Sequence, residues 1–162
     1  MRFLKIYKYP ARILRKKCLA VEKITENEKT LFENMHYTMR LANGIGLAAP
    51  QIGINKKLIV ADIGQGIIKL ADPEILDFSG EDKMTECCLS VPGAAVEVTR
   101  AFNIQVGGLN ERGKRVEITA SGLLARVLQH EIDHLNGKII IDYLNNWDNL
   151  KYKLTCLLLN KK

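Results

Sequence analysis

The stretch Gln129-His130-Glu131-Ile132-Asp133-His134-Leu135-Asn136-Gly137 constrains this chain more than any other. Histidines four apart sit one turn above each other on a helix, so His130 and His134 can aim ring nitrogens at one metal ion with the Glu131 carboxylate beside them. At about 100° per residue, Leu123, Leu124, Val127, Leu128, His130, Glu131, His134 and Leu135 fall in one arc, while Arg126, Gln129, Asp133 and Asn136 lie outside it. Glu131 therefore sits in an apolar stripe. A carboxylate there is costly to bury unless it is paired or protonated, which a metal site explains and a purely structural helix does not. Ser121 stands where an N-cap belongs and Gly137 where the helix should stop.

A catalytic metal site with one open position wants three protein ligands. A third His beyond Gly137 would complete one metalloprotease pattern, but Ile140 occupies that position, and no Glu follows Glu131 to complete another. Downstream, only Asp142 and Asp148 remain as candidates. Upstream, Thr85-Glu86-Cys87-Cys88-Leu89-Ser90-Val91-Pro92-Gly93 offers a thiolate.

Together these residues resemble the peptide deformylase family, metal hydrolases that remove the formyl group from the N-terminal formyl-methionine of newly made chains. Gly44-Ile45-Gly46-Leu47-Ala48-Ala49-Pro50-Gln51 matches the family's Gly-x-Gly-x-Ala-Ala-x-Gln, and Gln129 to Gly137 matches its Gln-His-Glu-x-Asp-His-x-x-Gly in full. Glu86 to Ser90 matches Glu-Gly-Cys-x-Ser with Cys87 in place of Gly. The resemblance runs from about Pro10 to Asp142.

What it implies is specific. By register with Glu86 and Leu89-Ser90, Cys88 is the third metal ligand beside His130 and His134. Glu131 is the general base, and the Gln51 side chain and the Leu89 N–H hold the oxyanion. Ile45 and Gly46 line the peptide cleft, while Leu123, Val127, Ile45 and Glu86 are candidates for the methionine pocket by position. The resemblance implies Fe²⁺ as the physiological ion, with Zn²⁺, Ni²⁺ or Co²⁺ able to take its place; by ligand chemistry alone a His₂Cys set suits zinc. Cys87 either keeps an ordinary backbone conformation or carries strain that Gly would avoid. In an extended segment it points away from Cys88.

The rest of the chain is read around this site. A length of 162 residues suggests a single domain, 1–162, with one core. No apolar run is long enough to span a membrane and no signal peptide is recognisable at Met1 to Ile6, so a cytoplasmic monomer is expected. With four Cys, one claimed by the metal, a reducing compartment is the simpler reading. The net charge of +6 permits a nucleic-acid partner without demanding one.

Thr25 and Glu28 form a capping box for a helix with Leu31, Phe32, Met35, Met39 and Ala42 on its apolar face, ended by Gly44. His36 on this helix is read as a structural or surface His. Strands are expected at Lys57 to Asp62, Ile67 to Ala71, Val96 to Thr99, Phe102 to Leu109 and Arg115 to Thr119, with extended chain over Asp72 to Leu76. Lys138 to Tyr143 reads as a short strand. Asn146 then caps a last helix with Trp147, Leu150, Leu154, Leu157 and Leu158 on one face and Lys151, Lys153, Lys161 and Lys162 elsewhere. The fold class is α+β: mostly antiparallel sheets around a central metal-binding helix, with a C-terminal helix. In bacterial deformylases such a helix is associated with ribosome docking, and a basic one suits RNA. Two other classes stay open, a metallopeptidase using the same helix and a non-catalytic relative that binds ribosomes or chain termini.

Overall fold

The computed structural model describes residues 1–159; the side chains at 153 and 155–159 lie outside the described residues. In chain order the elements are α1 (Glu26–Leu41), β1 (Gly46–Ala48), β2 (Leu58–Ala61), β3 (Ile68–Ser79), β4 (Asp82–Cys88), β5 (Val91–Arg100), β6 (Asn103–Leu109), β7 (Arg115–Ser121), α2 (Gly122–Leu135) and α3 (Asn146–Leu159). Strands β1-β2-β3-β6-β7 form one sheet in that order, and β4 and β5 form a separate hairpin. Every strand pairing is antiparallel.

Two helices cover the larger sheet from opposite sides. Along β2, Ile59 and Ala61 point into a cluster with Ala125, Leu128, Ile132 and Leu135 of α2, while Leu58 and Val60 point into one with Phe32, Met35 and Met39 of α1. Successive strand side chains face opposite ways, so a four-residue strand that is apolar throughout is what a sheet covered on both faces requires. Each large apolar side chain buried this way contributes roughly 1.5–3 kcal/mol relative to leaving it in water. A third cluster joins Val96 and Val98 of β5 to Leu14 and to Ile139, Ile140 and Ile141, just past α2. The hairpin is thereby clamped against both ends of the chain, and α2 lies between hairpin and sheet.

The Thr25–Glu28 capping box is present: Thr25 Oγ1 accepts from the Asn27 N–H and Glu28 Oε2 accepts from the Thr25 N–H at 3.0 Å. His36 is half-buried on α1, 3.8 Å from the Asp62 carboxylate.

Several expectations need correction. Ile67 to Ala71 and the extended chain after it are one strand, β3, which continues through Asp72-Pro73 by register shifts between Ala71 and Glu74 and between Ile75 and Asp77. Proline lacks the donor a ladder needs, and a bulge is where a strand tolerates it. Lys138 to Tyr143 is not a strand: Ile140–Tyr143 is a single 3-10 turn, fixed by Asp142, which accepts the Ile139 N–H at 2.9 Å. Its isoleucines are buried by packing against β5, so an apolar run of this length did not need a pairing partner.

Asn145, not Asn146, caps α3, its side chain accepting the Asp148 N–H at 2.9 Å. Ser121 does occupy the N-cap position of α2 but makes no capping bond with its side chain. On α3, Trp147, Leu150 and Leu154 are exposed, and Tyr152 reaches back to the Pro92 carbonyl at 3.1 Å. Lys161 and Lys162, and the side chains of Lys153, Leu157 and Leu158, lie outside the described residues.

Candidate active site

The site is built from two pieces of backbone. Helix α2 supplies His130, Glu131 and His134, and the tip of the β4–β5 hairpin supplies Cys88. The ligand atoms of Cys88, His130 and His134 all lie within 4.8 Å of one another, with Cys88 Sγ 3.2 Å from His134 Nε2. The hairpin ladder shifts register between Cys87 and Cys88, where Cys88 pairs with Val91 and Leu89-Ser90 make the turn. Cys88 is buried and Cys87 exposed, so the neighbours do face apart. Cys87 is not among the residues with positive φ; the backbone stays in an ordinary region and the substitution for Gly carries no strain.

Glu86 ties the two pieces together. Its Oε2 lies 2.9 Å from His130 Nδ1 and accepts from Arg100 Nη2 at 2.9 Å, and its Oε1 accepts from Arg100 Nε at 2.6 Å and Arg126 Nη1 at 2.7 Å. Burial alone would raise this carboxyl's pKa, but hydrogen bonds from His130 and Arg100 outweigh it and hold it down to about 2. Glu86 is therefore an anion inside the protein. Arg100 also reaches Asp133 Oδ2 at 2.9 Å, where Tyr143 donates at 2.7 Å.

Arg126 overturns an expectation, since the helical periodicity placed it outside the buried arc. It is 4 % exposed, because Glu86, the Val98 carbonyl and Asp82 satisfy its donors. Leu123, expected inside that arc, is 45 % exposed at the rim.

Glu131 is enclosed, and its Oε2 has no hydrogen-bond partner among the described residues. Burial pushes its carboxyl up to about 7, against the pull of the His130 and Arg100 charges. A carboxyl tuned there can both take and give a proton near neutrality. Gly46 stands directly behind it: a Cβ there would come 2.3 Å from Glu131 Oε1. Gln51, on the 3-10 turn Ala49–Ile52, is held by the Ala48 N–H, which donates to its Oε1 at 2.7 Å. This leaves its Nε2 3.3 Å from Ser90 Oγ and 3.7 Å from Cys88 Sγ.

A cavity of about 350 Å³ opens over this group. Ile45, Gln51, Glu86, Cys88, Leu89, Leu123, Val127, His130 and Glu131 all line it, so the structure brings together most of the residues singled out in the sequence. Gly46 is buried behind the wall, and His134 is enclosed at 1 % exposure.

The donor set fits a divalent cation. Ligands on a tetrahedral ion with bonds of about 2.0–2.3 Å stand roughly 3.3–3.8 Å apart, close to the sulfur–nitrogen distance here. Burial disfavours a charge on His130, yet Cys88, Glu86 and Glu131 together hold its pKa up, at about 10; a field that draws a proton draws a metal cation too. Burial keeps His134 well below its ordinary value, neutral and able to ligate. His130 has the outer partner that commonly orients a ligating imidazole, Glu86.

A family model described as Polypeptide deformylase matches residues 3–150. The chain belongs to the peptide deformylase family. The peptide deformylase of Carboxydothermus hydrogenoformans is 52% identical over 134 residues, 83% of this chain and 88% of that one. Among solved structures, the peptide deformylase of Legionella pneumophila superposes with a TM-score of 0.92 at 42% identity, covering 99% of this chain and 96% of that one. That of Ehrlichia chaffeensis in complex with actinonin gives a TM-score of 0.95 at 33% identity over all of both chains. This deformylase is thus a metal-dependent hydrolase that releases formate from the N-terminal formyl-methionine of new polypeptides.

Sequence reasoning missed three residues of the deformylase site: Arg100, Arg126 and Ser90. A buried Glu86 needs a cation, and Arg126 stands one turn before His130 on the same helix, which was a usable signal. Arg100 is brought in only by the pairing of β4 with β5.

Proposed function

We propose that this chain deformylates with Glu131 as its proton-transfer group and Cys88, His130 and His134 as its metal ligands. The observation that carries this is the enclosed Glu131 carboxyl, with its pKa near 7, beside three converging ligand atoms. A divalent ion held by those three residues supplies Lewis acidity, bringing the pKa of a water at its open position towards neutrality and polarising the formyl oxygen.

The protein's own groups do the rest. Glu131 takes a proton from the water that attacks the formyl carbon and passes it to the departing amine, which gives formate and a free N-terminal methionine. Such proton transfer is worth about 10²–10⁴ in rate. Gln51 Nε2 and the Leu89 N–H donate to the oxygen on which negative charge develops. Both flank Cys88, Gln51 by its contact with the sulfur and Leu89 by sequence. Ile45, Leu123 and Val127 offer apolar wall for the methionine side chain, with Gly46 allowing the close approach of the 44–48 segment to Glu131.

The physiological ion in this reading is Fe²⁺, with Zn²⁺, Ni²⁺ or Co²⁺ as substitutes; the resemblance to the family supports iron, while the ligand chemistry accepts all four. The chain works as one catalytic domain, 1–162, and as a monomer, in the cytoplasm where formylated nascent chains arise. Ribosome docking through α3 is supported by its exposed Trp147, Leu150 and Leu154 and by the basic Lys151 on the same helix.

The test is formate release from a formyl-methionyl dipeptide by anaerobically prepared, Fe²⁺-loaded protein, beside Glu131→Gln and beside the unformylated dipeptide. Turnover lost in the variant with its metal retained supports the reading. Turnover undiminished in Glu131→Gln removes Glu131 as the base, and hydrolysis of the unformylated peptide would point to a peptidase.

A further inference from the structure

Arg126 lies four residues before His130 and so directly beneath it on α2. A guanidinium in the interior costs several kcal/mol in lost hydration unless its partners are well placed, and an apolar side chain at this helix position would avoid that cost. Its partners here are not scattered. Nη1 donates to Glu86 Oε1 at 2.7 Å and to the Val98 carbonyl at 2.9 Å, and Nη2 donates to the Asp82 carbonyl at 2.7 Å and to Asp82 Oδ2 at 3.2 Å. One side chain thus grips both strands of the hairpin whose tip carries Cys88.

Glu86 bridges the same two turns of α2. Oε1 takes Arg126 and Arg100, and Oε2 takes Arg100 and the His130 ring. Arg100 alone could hold the carboxylate side-on through its two parallel bonds but leaves the plane free to slide along the guanidinium edge. Arg126 blocks that slide from the opposite side of Oε1. The position of Oε2, and with it the direction of the His130 ring, is then set from α2 itself.

We propose that Arg126 is a positioning residue for the metal centre, locking Glu86 against His130 and fixing the hairpin that bears Cys88 onto the helix that bears both histidines. The inference rests on the reading of Cys88, His130 and His134 as the metal ligands. It assigns a task to a charge that touches neither substrate nor ligand atom. Removing Arg126 should loosen His130 and Cys88 relative to His134, weakening the hold on the metal more than the fold.

The experiment is metal release from the full Co²⁺-loaded chain into excess chelator, followed by the cobalt absorption bands, for wild type, Arg126→Met, Glu86→Gln and the double variant. Arg126→Met is expected to release metal about 10-fold faster or more, the size typical for losing an outer partner of a ligating His. The double variant should be no more than about threefold faster than the quicker single one, because both changes break one linkage. Arg126→Lys, which keeps the charge but cannot hold Glu86 and Val98 together, guards against a misfolded Met variant and should release about three- to tenfold faster. In both Arg126 variants kcat of freshly loaded enzyme should fall while KM stays within about twofold. Release within twofold of wild type from either Arg126 variant, or effects of Arg126→Met and Glu86→Gln that multiply, overturns the proposal. Wild-type protein that takes up no Co²⁺ would instead overturn the ligand assignment beneath it.

Discussion

Gly46 and Glu131 are fitted to each other: a Cβ placed on Gly46 would lie 2.3 Å from Glu131 Oε1 and 2.9 Å from Val127 Cγ1. The glycine has an ordinary φ, so its absent side chain rather than its conformation is what the site uses. Gly46→Ala should displace the Glu131 carboxylate from its station over the ligands. Overpacking of this kind costs about 1–3 kcal/mol of stability. Formate release should fall at least about 10-fold with metal content unchanged, measured at a temperature where the variant is fully folded. Wild-type turnover in that variant would mean Glu131 has more freedom than its enclosure indicates.

Leu123 sits at the rim of the cavity, half exposed, on the turn of α2 before Val127. Leu123→Ala should therefore touch binding and spare the fold. Losing its share of apolar contact with the methionine side chain is worth about 1 kcal/mol, a KM increase of roughly fivefold, with kcat and the melting temperature nearly unchanged. Kinetics on formyl-methionyl and formyl-alanyl peptides check this: only the former should be sensitive.

Glu28 closes the capping box of α1 and pairs with Lys56 Nζ at 2.6 Å. The Lys56 contact first, then that with Thr25, lowers its carboxyl from an ordinary 4.5 to about 2. A carboxyl whose pKa is depressed by folding adds stability above its unfolded value and loses it as pH falls through the folded one. Its contribution should thus be whole above about pH 5 and fade between about 4.5 and 2. Glu28→Gln should cost about 0.5–2 kcal/mol at pH 7, the range for a lost cap, and the gap to wild type should narrow towards pH 2.5. Unfolding midpoints of both proteins across that range test it; a constant gap would contradict it.

Much of this architecture is legible in the sequence for local reasons. Helix α2 is written in the spacing of His130, Glu131 and His134, and α1 in the Thr25–Glu28 pair, because both depend on residues three or four apart. The β3 ladder was harder to read: Asp72-Pro73 looks like a stop, and only the pairing with β6 carries the strand through it. The turn at Ile140–Tyr143 was misread because three isoleucines suit a strand, whereas Asp142 and the packing of the β4–β5 hairpin decide the outcome. Within the site, the buried cluster of Glu86, Arg100 and Arg126 was invisible to periodicity. A pattern that scores arginine as polar cannot see a carboxylate 40 residues away that makes its burial tolerable.

The central claim is that the metal is held by the hairpin-tip Cys88 together with both histidines of α2, and that the neighbouring Cys87 has no part in it. Electronic absorption of the Co²⁺-loaded chain tests this most directly, since a thiolate bound to cobalt gives an intense near-ultraviolet band. The band should be present in wild type, unchanged in Cys87→Ser and absent in Cys88→Ser. A band that survives Cys88→Ser, or disappears with Cys87→Ser, would contradict the account.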